Sequence, residues 1–277
     1  MGLGEKLGRV ITLVSGKGGV GKTSITANLG IALAKRGISV LLIDADVAMA
    51  NLSLMLGMHS NPISLHDVLL GEADVEDAIY DGPAGVKFIP SGLSLEGYRR
   101  VDSERLQSIV NSLQKQYDFI ILDAPAGIEK NVASAIAAAD EALLVTMPNT
   151  LSLTDAIKIK LLAERLDVKP LGIVVNFIMG EKGELRDYEI SKLLDELPIY
   201  GLVPYDDEMR RSFIQKTPHP VVLRKPSSKS AVAIQKIAAK LSGTPISIGT
   251  KKHIPAEETK KQGIFARIIG MFKKGKG

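Results

Sequence analysis

From residue 16 the chain reads Gly16-Lys17-Gly18-Gly19-Val20-Gly21-Lys22-Thr23, with Ser24 next. This is the spacing of a phosphate-cradling loop. The glycines let backbone N–H groups turn inward at conformations that a Cβ would penalise. Lys22 supplies a point charge for the β and γ oxygens and Thr23 a hydroxyl for Mg²⁺. A helix beginning here adds its positive end. Residues 16–24 therefore read as a site for a nucleoside triphosphate with Mg²⁺. A second lysine inside the loop, Lys17, is not needed to cradle phosphates within one chain.

Such a loop needs carboxylates nearby, and the sequence offers three. Asp44 and Asp46 follow the apolar run Ile38–Ile43, and Asp123 ends Phe119–Leu122. A carboxylate at a strand end beside the phosphates holds Mg²⁺, often through water, or positions the attacking water. Thr23, Asp44, Asp46 and Asp123 are thus the candidate metal residues. Asn176 follows Leu171–Val175, and Pro204-Tyr205-Asp206 follows Gly201-Leu202-Val203. An Asn side chain donates and accepts at once, which suits a purine edge. Both segments are equally compatible with turn formation.

The elements that must position these residues follow from periodicity. Val10–Val14 is a short apolar run, and residues 22–36 place Ile25, Leu29, Ala32 and Leu33 at helical spacing before Gly37. With Ile38–Ile43 this makes a strand–loop–helix–strand unit. Val86–Ile89, Phe119–Leu122, Ala142–Met147, Leu171–Val175 and Ile199–Val203 are further continuously apolar strands, as expected where both sheet faces are covered. Helical patterns lie between and after them, near 103–116, 129–138, 153–166, 185–196, 207–215 and 228–242. The alternation predicts a doubly wound, mostly parallel α/β sheet with helices on both faces, in one domain over residues 1–242.

Composition narrows the chemistry. The 277 residues contain no cysteine, which excludes disulfides, a thiol nucleophile and cysteine-held metal clusters. No run of eighteen apolar residues exists to span a membrane. The opening MGLGEKLGR lacks the apolar stretch of a secretory signal. His59, His66, His219 and His253 are not spaced as metal ligands. Residues 251–277 hold eight basic and two acidic side chains, a net +6 in a chain whose total is +4. The first 250 residues are thus −2, which argues against nucleic acid as the partner of the body.

The loop Gly16-Lys17-Gly18-Gly19-x-Gly21-Lys22-Thr23 resembles the deviant Walker A family, which includes the septum-site regulator MinD and the partition ATPases. The resemblance implies an ATP- and Mg²⁺-dependent ATPase that dimerises around its nucleotides. It assigns Lys17 to the other subunit's phosphates and Asp46, with Asp44 beside it, to water activation. Asp123 takes the place of the Walker B aspartate, and Asp123–Glu129 that of the second switch. Asn176 would read the adenine, bordered by Pro204 to Asp206. Lys17, Lys22 and Asp46 are then the catalytic set. Further segments, at 46–58, 64–79, 86–97, 152–160 and 221–231, are similar to the archaeal-type MinD branch, so the resemblance spans residues 9–242. One departure is Pro218, where relatives usually carry Gly.

Residues 243–262 mix Gly, Pro, Thr and charge without period and read as a flexible linker. At 100° per residue, Ile264, Phe265, Ile268, Ile269, Met271 and Phe272 of the final segment 263–277 share one helical face. Arg267, Lys273 and Lys274 take the other. Twelve helical residues make about 18 Å, too short for a bilayer core of about 30 Å. A basic face opposite an apolar one reads as an anchor for an anionic membrane surface. The expectation is a cytoplasmic protein, peripheral on the inner membrane face, acting as an ATP-dependent homodimeric switch for a protein partner. Two alternatives stay open: a partition or flagellar-placement ATPase, and a non-hydrolysing nucleotide-dependent scaffold.

Overall fold

The computed structural model describes residues 7–46, 51–58, 60–92, 103–215 and 219–243. Apart from Gly243, the linker and tail predicted over 243–277 lie outside them, with every membrane-anchor residue named above, and so does the Pro218 departure.

In chain order the elements are β1 (Arg9–Ser15), α1 (Lys22–Ala34), β2 (Val40–Asp44), α2 (Leu52–Met55), α3 (Leu65–Leu70), β3 (Tyr80–Asp81), β4 (Lys87–Ile89), α4 (Ser103–Leu113), β5 (Phe119–Ala126), α5 (Lys130–Ala137), β6 (Glu141–Thr146), α6 (Thr150–Arg165), β7 (Lys169–Ile178), α7 (Asp187–Leu193), β8 (Ile199–Pro204), α8 (Asp207–Ile214), α9 (Val221–Arg224) and α10 (Lys229–Ser242). The sheet runs β3-β4-β2-β5-β1-β6-β7-β8. Only β3 is antiparallel to its neighbour. This is the predicted doubly wound class.

Along β1, Ile11 and Leu13 join Ile25, Leu29, Ile234 and Ile237 in one core. Val14 packs across the sheet with Val132, Ile136 and Ile159, and Val10 with Leu41, Leu106 and Val110. The alternation is the period of a strand covered on both faces. Helices the sequence pattern foresaw contribute to each core, with ends shifted by a few residues, and Leu52, Leu65 and Val221 join from elements it did not foresee. The helix expected over 22–36 stops at Ala34, because Lys35 caps it and Gly37 turns the chain at φ +80°. The strand expected from Ile38 starts at Val40. The short α2, α3 and α9 and the two-residue β3 were not anticipated.

Parallel strands bring their C-terminal ends to one sheet edge. β1 lies between β5 and β6. In the β2–β5 register Asp44 stands directly opposite Asp123. Among the described residues no helix is long and apolar enough to cross a membrane.

Candidate functional site

The loop between β1 and α1 sits in the crevice at that edge, where open α/β sheets bind ligands. Gly19 and Gly21 take φ of +81° and +88°. Gly21 is also pinned sterically, since a Cβ there would stand 2.3 Å from the Asn176 side-chain amide. At Gly18 and Gly19 a Cβ would meet nothing, so the backbone faces open space. That space is a cavity of about 400 Å³ lined by residues 18–24 together with Asp46, Asn51, Met55, Ala126 and Phe177. The open cradle at the start of a helix fits a chain of phosphates.

Gly16 and Lys17 fall outside that lining. A Cβ on Gly16 would come within 2.5 Å of Asp155, so this glycine lets α6 pack against the loop. Lys17 is half-buried, its carbonyl accepting a hydrogen bond from the Ser15 hydroxyl at 3.1 Å.

Asp44 ends β2, Asp46 lies two residues beyond it, and Asp123, expected to end its strand, lies inside β5 because that strand runs on to Ala126. Lys22 donates to Asp123 Oδ1 at 2.8 Å, and both side chains are buried. The Thr26 hydroxyl donates to the same oxygen at 2.9 Å. Asp44, also buried, accepts the Asp46 amide at 3.1 Å and the Leu52 amide at 3.2 Å, one on each oxygen. It thereby ties residues 46 and 52 to the end of β2. Burial, and then the neighbouring Asp123 charge, push the Asp44 carboxyl well above its ordinary range, despite those two amides and Lys22. Asp46 is half-buried and lines the cavity. Among the described residues no three His, Asp or Glu side chains converge as a ready-made metal cage. Mg²⁺ needs none, because it keeps several waters and takes substrate phosphates with one or two protein oxygens. Thr23 and Asp46 line the cavity, whereas Asp123 is buried against Lys22. Asp44 spends both oxygens on backbone.

A second cavity, about 270 Å³, adjoins the first through Ser24 and Phe177. Its other walls include Asn176, Pro204, Tyr205, Asp206, Met209 and Phe213. The Phe177 and Tyr205 rings stand 6.4 Å apart and tilted by 39°. Apolar and aromatic walls with a few polar atoms suit a flat heteroaromatic base. Asn176 is buried, and its amide donates to the Val20 carbonyl at 2.9 Å, bracing the phosphate loop. Asp206 borders the cavity but turns its carboxylate away. One oxygen caps α8 through the Glu208 amide at 2.9 Å. The other accepts the Ser230 amide at 3.0 Å and hydroxyl at 2.8 Å, at the start of α10. Burial alone would raise this carboxyl, but those donors hold it below its ordinary value. Phe177, Met209 and Phe213 escaped the sequence reading, and Tyr205 entered it only inside the segment Pro204 to Asp206. Three of them look like ordinary strand-end or helix-face residues, and Phe177 enters only through its left-handed φ of +58°.

Residues 8–167 match a family model described as an AAA domain. An uncharacterized ATP-binding protein of Methanocaldococcus jannaschii is 42% identical over 263 residues, 95% of this chain and 96% of that one. The septum site-determining protein MinD of Synechocystis is 35% identical over 273 residues, 95% of this chain and all of that one. Among solved structures, the septum site-determining protein MinD of Pyrococcus horikoshii complexed with Mg-ADP superposes with a TM-score of 0.80. It is 37% identical, and the match covers 85% of this chain and 96% of that one.

Proposed function

The chain belongs to the MinD/ParA family of ATPases, within the septum site-determining group, and from that premise we propose that it is a positioning switch. In this reading ATP and Mg²⁺ close two copies into a dimer, the dimer docks on an anionic membrane through the tail, and hydrolysis releases it. The docked dimer would then localise a protein partner.

The activity is hydrolysis of ATP to ADP and phosphate, with Mg²⁺. Bound Mg-ATP supplies the anhydride to be broken and the cation that neutralises its oxygens. The chain's own contribution is positioning. The residue 18–24 backbone would cradle the phosphates, and Lys22 would exchange Asp123 for the β and γ oxygens. Asp123, so released, and Thr23 would hold the metal directly or through water. Asp46 would orient the attacking water, and Asp44 would hold Asp46 there through its amide. Adenine would enter between Phe177 and Tyr205, with the free Asn176 oxygen or second N–H toward its edge.

One observation carries the dimer: Lys17 sits in the loop yet outside the cavity its neighbours line. A loop lysine that does not serve its own phosphates is available to those of a second copy. Light scattering of the full chain tests this. Addition of ATP and Mg²⁺ should double the mass, and ADP should not. A mass unchanged by ATP would remove the dimer from the account.

A further inference from the structure

The charge of the body is unevenly placed. Residues 219–243, which form α9 and α10, contain Arg224, Lys225, Lys229, Lys236 and Lys240 and no acidic residue. Two carboxylates border this segment: Glu208 of α8, already shared among Arg211, Arg224 and Lys225, and Asp206, whose oxygens are taken by the Glu208 amide and by Ser230. Lys229, Lys236 and Lys240 are exposed and recur at i, i+7 and i+11 along α10, one stripe of its surface. Val232, 39% exposed, lies on the same stripe between the first two. Lys240 is partly committed, donating to the Ile199 carbonyl at 2.7 Å and lying over the Tyr200 ring. Lys229 and Lys236 make no ion pair among the described residues.

We propose that this acid-free lysine stripe of α10 is a second contact with anionic lipid. The proposal rests on the reading of the tail as membrane anchor and extends it to the body. Two features favour lipid. The anchor sequence follows α10 after the segment 243–262 read as a flexible linker, so docking the tail keeps the end of α10 within a linker's reach of the same surface. The stripe also interleaves an exposed apolar side chain with its lysines, as interfacial helices do. Each cation near an anionic surface strengthens binding by about fivefold, so the stripe would steer and tighten the dimer without anchoring it alone.

The test is sedimentation of the full chain, with ATP and Mg²⁺, on vesicles of phosphatidylcholine and of phosphatidylcholine with phosphatidylglycerol in equal parts. Three changes are compared with wild type: Lys229→Gln with Lys236→Gln, both positions to Glu, and deletion of 261–277. The Gln pair should weaken binding to anionic vesicles by about tenfold or more, and the Glu pair further. Both should keep wild-type ATPase activity without lipid, which excludes misfolding. Lys236→Gln alone serves if the pairs do not fold. Wild-type vesicle binding by the Gln and Glu pairs, with binding lost on tail deletion, would overturn the stripe and leave the anchor standing. Stripe variants that bind poorly while the deletion binds normally would support the stripe and sink the anchor. Variants that lose duplex DNA but keep vesicles would assign the stripe to nucleic acid and overturn the proposal.

Discussion

Lys22 and Asp123, 101 residues apart, form a 2.8 Å ion pair with both side chains buried. The relationship is competitive. In the proposed mechanism the lysine is wanted by phosphate and the carboxylate by Mg²⁺, so loading the site must break the pair. The pair holds the site's two main charges on one another.

Removing Asp123 should expose that arrangement. Asp123→Ala removes the carboxylate bonded to buried Lys22 and leaves only the unbonded Asp44 charge in reach, which costs up to about 3–5 kcal/mol and should lower the melting temperature by on the order of 10 °C or less. Phosphates restore a partner for Lys22, so ATP should stabilise the variant at least as strongly as wild type while Mg²⁺ adds little. Scanning calorimetry with and without ATP and Mg²⁺ reads both effects. Unchanged melting would mean that the pair carries no stability.

Binding and turnover should separate along the loop. Lys22→Ala should lose ATP affinity in calorimetry, since the main cation on the β and γ oxygens is gone. Asp46→Ala should keep ATP and stay dimeric because hydrolysis stops. Lys17→Ala should bind ATP and remain monomeric in light scattering. A Lys17 variant that dimerises normally would exclude the role in trans.

Much of this was legible in the chain before its fold. The loop announces itself because its glycines, lysine and threonine act at consecutive positions, and the strands because two-sided burial makes them continuously apolar. The facing of Asp44 and Asp123 was not legible, since it depends on which strands are neighbours. The Asn176 bond to Val20 joins residues 156 apart, and nothing local signals it. Gly16 reads like its neighbours in sequence, yet its smallness serves α6. The four-residue α2 and six-residue α3 are too short to show a helical period.

Gly21 and Asn176 make a paired prediction. Gly21→Ala combines a φ of +88° with a 2.3 Å clash on Asn176, so ATP binding should be lost. Asn176→Ala removes the clash but leaves the φ, so the double variant should not recover. Asn176→Ala alone gives up one buried hydrogen bond to the loop, about 1 kcal/mol, and should weaken ATP several-fold in a calorimetric titration. Full recovery in the double variant would show that the clash, and not the φ, is decisive.

Asp206 ties the base cavity to stability through pH. Its carboxyl is held below its ordinary value of 3.8, so the stabilisation is complete above that value and is lost as pH falls through it toward the folded one. Asp206→Asn should therefore lower stability near neutral pH by about 1–2 kcal/mol through weakened caps on α8 and α10. The gap to wild type should narrow as the solution is acidified below the ordinary carboxylate range. Urea titrations at several pH values measure the gap. A constant gap would mean that Asp206 does not titrate differently on folding.

In the proposed function, nucleotide controls membrane residence by controlling dimerisation. A single short amphipathic helix binds reversibly and weakly, in the manner of one lipid chain. Two in one dimer gain about 10²–10⁴ in avidity, because the second contact is intramolecular. Sedimentation of the full chain on anionic vesicles, with ATP against ADP and Mg²⁺ present throughout, measures this directly. Affinity should be at least about 100-fold higher with ATP, weakened by salt, and abolished by deleting 261–277 or by Phe265→Glu with Ile269→Glu. Equal sedimentation with ATP and ADP, or of full-length and truncated chains, would contradict it.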